Sequence, residues 1–203
     1  MSYGTPFIPL LAALTSFNLQ QQGLPPTTTQ NYEAGGKWDL MNDRLSLAAA
    51  AFHEREDNVY TQTTPGVYQA AGSWLIKGYT LSATGHVTEK LQVIAGYMHL
   101  DPRVVAATDG TQGSVPANTP KDTATLWTLY DITHAWEVGG GGNLISQRYV
   151  ADTGISSTLP TGNIDLVSVP SYVRWDATAA YHQQHYEIRV NVLNLTNKFY
   201  YDA

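Results

Sequence analysis

The chain has 203 residues, of which 14% are charged against the roughly 25% usual in soluble domains, and it is rich in Gly (17), Tyr (13) and Trp (5). A net charge of -6 and the scatter of its 11 basic residues exclude the cationic footprint of a nucleic-acid binder. With no cysteine it has no disulfide framework, thiolate zinc site or cysteine nucleophile.

The longest apolar run, FIPLLAAL at residues 7 to 14, falls well short of the ~20 residues a spanning helix needs and follows no basic segment. It reads as a loop or strand end. In YEAGGKWDL, Tyr32, Ala34, Gly36, Trp38 and Leu40 share one face of an extended chain, with Glu33, Gly35, Lys37 and Asp39 on the other. RLSLAAAAF sets Leu45, Leu47, Ala49 and Ala51 against Ala48, Ala50 and Phe52, so that segment alone is also compatible with a helix. Glu54, Arg55, Glu56 and Asp57 read as a solvated rim opening a long loop, without the spacing of a calcium loop.

Alternation returns where Tyr79, Leu81, Ala83 and Val87 oppose Thr80, Ser82, Thr84 and His86; beyond a tight TEK turn, Leu91, Val93, Ala95 and Tyr97 align. In ATLWTLYD the pattern blurs, because Trp127 and Leu129 lie opposite Ala124, Leu126 and Tyr130. VGGGGN at 138 to 143 has no Lys-Ser/Thr after it and is no phosphate loop; glycines on a strand permit close packing or a bend. The last two strands are the clearest. Val173, Trp175, Ala177, Ala179 and Tyr181 oppose Arg174, Asp176 and Thr178, and Tyr186, Ile188, Val190 and Val192 oppose Glu187, Arg189 and Asn191.

Short links (MNDR, TEK, DITHA, QQH) alternate with long ones near 11 to 30, 57 to 72, 102 to 120 and 150 to 170. An all-β, antiparallel up-and-down meander with short turns on one rim and long loops on the other is the layout of an outer-membrane barrel. Its backbone is satisfied in hydrocarbon only by pairing around a closed cylinder. Charges on the lipid side cost several kcal/mol at mid-depth, so the polar set is expected to line the lumen. Tyr32, Trp38, Tyr97, Trp136, Trp175 and Tyr181 then suit aromatic girdles.

SYGTPFIP, NYEAGGKWDLMNDRLSLAAAAF, GYTLSATGHV, LQVIAGYMHLD, NTPKDTATLWTLYD, VPSYVRWDATAAYH and VNVLNLTNKFYY occur in the order and spacing of the C-terminal barrel region of TonB-dependent siderophore receptors. The resemblance covers nearly the whole chain, and NLTNKFYY is similar to the segment before that family's final strand. It implies residues 1 to 203 as the C-terminal part of a barrel of about 22 strands, in the cell outer membrane. The periodicity accounts for about nine strands. The chain is thus expected to be a fragment that starts inside one strand and stops before the last, without signal peptide, TonB box or plug domain, and without transport activity of its own. Where the family commonly has an acidic residue, this chain has Thr80.

The implied partners are a ferric siderophore, the TonB system acting through a plug, and outer-membrane lipid. No cofactor is implied, since the iron arrives already wrapped in its chelator. Arg103, Arg148 and Tyr149, at strand ends leading into long loops, are the candidate ligand contacts, with ordinary rim residues as the bland alternative. His182 and His185 flank a turn without a ligand partner set. Asn194-Leu195-Thr196 matches a glycosylation acceptor formally but reads as a turn. No catalytic constellation is legible, so no enzyme is expected. A passive outer-membrane barrel and a soluble β-rich binding module are the alternatives.

Overall fold

A computed structural model describes residues 2–4, 7–8, 24–64, 67–108, 110–150 and 168–201. Twelve strands follow one another: β1 (Ser2–Gly4), β2 (Phe7–Ile8), β3 (Thr27–Leu40), β4 (Leu45–Thr64), β5 (Val67–His86), β6 (Leu91–Ala106), β7 (Asp122–Asp131), β8 (Trp136–Ile145), β9 (Arg148–Tyr149), β10 (Ser168–Val169), β11 (Tyr172–His182) and β12 (Glu187–Val192). The main sheet runs β1-β3-β4-β5-β6-β7-β8-β11-β12, all antiparallel. β2 pairs with β3 in the register of β1, with Ser2 opposite Glu33 and Ile8 opposite Thr27. β9 and β10 form a separate ribbon. Phe7 and Ile8 are therefore strand, and the rest of the apolar run at 9 to 14 lies outside the described residues.

Directly opposed residues of an antiparallel pair share a face, so the register carries each face across the sheet. One row reads Trp38, Leu47, Ala83, Ala95, Leu126, Gly142, Trp175; its neighbour reads Gly36, Ala49, Leu81, Tyr97, Ala124, Leu144, Val173. The opposite face carries Lys37, Ala48, Ser82, Gly96, Thr125, Asn143, Arg174 in one row and Gly35, Ala50, Thr80, Met98, Thr123, Ile145, Tyr172 in another. The alanine run that suited a helix is strand β4, paired on both sides. Thr80 stands on the polar face.

Among the described residues only Val104, Val115, Tyr172 and Ala180 are buried hydrophobics, whereas Trp38, Leu81, Leu126, Trp175, Ile188 and Val190 are exposed. A soluble module of this size needs a core on one side of such a sheet; here the apolar face waits for hydrocarbon. Trp136 and Tyr181, 4.7 Å apart, mark the short-turn rim of that face, and Tyr79 and Tyr97, 5.9 Å apart, its other end. Trp38 lies three residues before the first short turn and Trp175 three residues into β11 from the opposite end, so each falls near a rim of a tilted sheet. Tyr32 packs edge-on against His53, further out.

The short turns fall at 41–44, 87–90, 132–135 and 183–186, as read from the sequence. The long link expected at 57 to 72 is different. β4 and β5 run on to Thr64 and Val67, with register shifts between Asp57 and Val59, Val59 and Tyr60, and Gln62 and Thr64. This polar ribbon runs on past the apolar band, where no lipid contact calls for alternation; the bulges twist it. β6 likewise takes Pro102 to Ala106 from the next expected loop.

The blurred ATLWTLYD is settled by its neighbour. Trp127 opposes Gly141 and Leu129 opposes Gly139 on the polar face. A Cβ at Gly141 would lie 2.8 Å from Trp127 Cε3, and one at Gly142, on the apolar face, 2.8 Å from Trp175 Cε3. The glycine tract therefore gives two tryptophans, one per face, room to lie flat against β8.

Candidate functional site: the outer mouth

The ends of β6, β7 and β8 opposite the short turns build a mouth. After Ala106 the chain turns back alongside β6: Val104 N donates to Ser114 O at 3.0 Å and Gly113 N to Val104 O at 2.8 Å. Gly113 makes this return at φ +85, a left-handed conformation that glycine adopts freely. Pro102 and Val104, both on the polar face of this end of β6, are buried. Leu100 N then donates to Lys121 O at 2.7 Å, Ser146 N to Asp122 O at 2.9 Å and Asn118 N to Tyr149 O at 2.8 Å, tying the loop to β6, β8 and β9.

Charges sort by face. On the outward side, above the apolar band, Arg55 pairs with Asp57 at 3.0 Å, which also accepts from Ser73 Oγ at 2.7 Å, and Arg103 pairs with Asp101 at 3.4 Å. On the inward side Glu54 and Glu56 stand opposite Asn31 and Thr29. Burial, then Glu54, holds the Glu56 carboxyl above its ordinary value. Arg55 and the three acids thus sit on an extended strand rather than in a loop, with the Arg55–Asp57 pair on the outward face and Glu54 and Glu56 on the inward one.

The three candidate contacts do not converge. Arg103 shares the face of Tyr97 and points outward. Arg148 is 4% exposed and donates from Nη2 to Tyr201 O at 2.8 Å, anchoring the C-terminal tail. Tyr149 is half-buried beside the loop whose Asn118 it accepts from. Sequence reasoning missed the tail's role: Asp176 Oδ1 accepts from Asn194 N at 2.8 Å, Arg174 donates to Asp176 Oδ2 at 3.0 Å and to Tyr200 Oη at 3.4 Å, and Tyr200 stacks on Tyr172 at 4.7 Å. Asn194 closes its turn through both side-chain atoms, accepting from Lys198 N at 2.8 Å and donating to Lys198 O at 3.0 Å. That is the turn role expected of Asn194-Leu195-Thr196.

Further down the polar face Arg189 bridges Glu137 at 2.9 Å and Glu187 at 2.8 Å, and His182 Nδ1 lies 3.2 Å from Glu187. Among the described residues no three His, Asp or Glu side chains gather as metal ligands.

Nine consecutively paired strands with an outward apolar belt, an inward polar wall and a looped mouth define part of an outer-membrane β-barrel. Residues 1–195 match the family model described as TonB dependent receptor-like, beta-barrel. The siderophore receptor PiuA of Acinetobacter baumannii is 31% identical over 198 residues, 92% of this chain and 25% of PiuA. Its crystal structure superposes at a TM-score of 0.84, with 30% identity, over 98% of this chain and 29% of that one. The catecholate siderophore receptor Fiu of Escherichia coli is 30% identical over 183 residues, 86% of this chain and 22% of Fiu, and its closed crystal form gives a TM-score of 0.80.

The chain belongs to the TonB-dependent receptor β-barrel family, whose members are outer-membrane proteins and receptors rather than enzymes. It spans about a quarter of the length of these curated relatives.

Proposed function

We propose that residues 1 to 203 form the C-terminal part of a receptor barrel that imports ferric siderophores with energy from the TonB system, and that the chain carries no catalytic activity. The observation that carries this reading is the sorting of side chains across nine paired strands into a lipid belt and a polar inner wall, in a chain similar to siderophore receptors over nearly its full length. The ferric siderophore, a TonB-coupled plug and outer-membrane lipid are the partners on this reading. The relatives' names span a catecholate, a ferrioxamine and a metal-pseudopaline. A common wall thus serves chelates of different chemistry, and the mouth sets the choice.

Arg103, Arg148 and Tyr149 take different parts in it. Tyr149 faces the ligand's approach, Arg148 holds the tail in place beside it, and Arg103 acts from outside the wall, at first encounter. The segment by itself does not transport, since among the described residues neither β12 nor β1 and β2 have a partner on their outer edge. Expressing it alone and measuring siderophore-dependent iron uptake tests this; uptake above an empty-vector control overturns it. Recovery of the chain as a soluble monomer without detergent would overturn the membrane reading itself.

A further inference from the structure

The mouth holds a cavity of about 220 Å³ lined by Val115, Thr119, Lys121, Asp122, Ser146, Gln147 and Tyr149. Its position follows from register. Thr123 opposes Ile145 on the polar face, and the bond from Ser146 N to Asp122 O carries the ladder on, so Lys121 and Gln147 come next on that same inward face. Lys121 and Gln147 therefore open the cavity toward the lumen, while Asp122 and Ser146, one position over, stand on its outward side.

Its chemistry is donor-rich. Ser146 Oγ accepts from Asp122 N at 2.9 Å, which leaves its own proton to give. Lys121 makes no ion pair among the described residues, and the Tyr149 hydroxyl and Gln147 amide make no hydrogen bond there. The one carboxylate in the wall is turned outward and engaged through one oxygen: Asp122 Oδ1 lies 2.6 Å from the Tyr97 hydroxyl that donates to it and 2.7 Å from His99 Nδ1. An ammonium, a phenol, an amide and a hydroxyl around a space of this size suit one compact oxyanion, bound by charge-assisted hydrogen bonds.

From this arrangement the geometry points to a subsite for a carboxylate-bearing arm of an iron chelate, with Lys121 as its charge partner and Tyr149, Gln147 and Ser146 as its hydrogen-bond donors. The inference rests on the receptor reading and deepens it, naming the chemical class that this mouth selects. It also fits the rim's charge arrangement: at this level Arg55 and Arg103 face outward and are paired, so among the described residues Lys121 is a cation left to meet a ligand inside.

Outer membranes carrying the chain are titrated with ferric citrate, as a carboxylate chelate, and with an uncharged ferric tris-hydroxamate, and retained radioiron is counted. Lys121→Gln should weaken ferric citrate retention about tenfold, the loss expected for one charge-assisted contact near solvent. Tyr149→Phe should weaken it severalfold, Lys121→Arg should restore most of it, and the hydroxamate should be retained equally throughout. Equal citrate retention by Lys121→Gln and wild type overturns the subsite, and so does parallel loss of both chelates. Wild-type membranes that retain the hydroxamate but not citrate refute the carboxylate arm and leave the receptor reading standing. Membranes that retain neither overturn the subsite too, while the receptor reading falls to recovery of the chain as a soluble monomer without detergent.

Discussion

Ala95 and Gly96 are neighbours on β6 that face opposite media, and exchanging each for arginine measures the difference directly. Ala95 lies four residues from Leu91 at the short-turn end of the apolar face and four from His99 at its outer end. At ~3.3 Å per residue that is ~13 Å of strand in either direction, the middle of the belt. An arginine there projects between Leu126 and Ala83 into hydrocarbon, where mid-depth cations cost about 2–4 kcal/mol. Gly96 lies between Ser82 and Thr125 on the polar face, and a Cβ added to it meets no atom within 4 Å. Its arginine extends into the lumen at close to no cost.

In urea titrations of the protein in lipid bilayers, followed by tryptophan fluorescence, Ala95→Arg should lower the folding equilibrium constant by roughly 30- to 700-fold, with each ~1.4 kcal/mol a factor of ten. Gly96→Arg should stay within a few-fold of wild type. Equal losses, or a larger loss at Gly96, would show that the apolar face is not the lipid face, and the membrane assignment would fall with it.

Three other outcomes follow from the same geometry. Gly141→Ala places a methyl on the Leu126 carbonyl oxygen and against Trp127, and should cost about 1–3 kcal/mol, whereas Gly96→Ala should be neutral or slightly stabilising; urea midpoints of the pair check this. Asp176→Asn removes the charge that pairs with Arg174 and weakens the hold on Asn194 N, so it should cost about 3 kcal/mol and speed proteolytic clipping after Val192, with clipping unchanged as the contrary result. For Glu56, burial raises the folded-state pKa above its ordinary 4.5, so the folded state favours the protonated acid and the charged form opposes folding above that window. Glu56→Gln should therefore stabilise the β4–β5 ribbon at neutral pH. The advantage should shrink as pH falls through the raised value and vanish below about 4.5, read by amide hydrogen exchange across the ribbon; an advantage that persists or grows in acid contradicts the burial argument.

The sequence by itself determined the meander, the two faces and the short turns. A strand that touches hydrocarbon on one side and water on the other must alternate residue by residue, and Val173 to Tyr181 or Ile188 to Val192 record that contrast locally. Where the contrast ends, so does the record. The polar stretch after Asp57 reads as a loop, although β4 and β5 go on pairing through register shifts to Thr64 and Val67. Trp127 and Leu129 break alternation because glycines of the next strand make room for them, a fit that exists only once Gly141 and Gly139 are brought opposite. The direction of Arg103, the engagement of Arg148 by Tyr201 and the cavity around Lys121 likewise depended on the tertiary structure. Each joins residues far apart in the chain through register and loop closure, and no local pattern encodes which distant partner a side chain will meet.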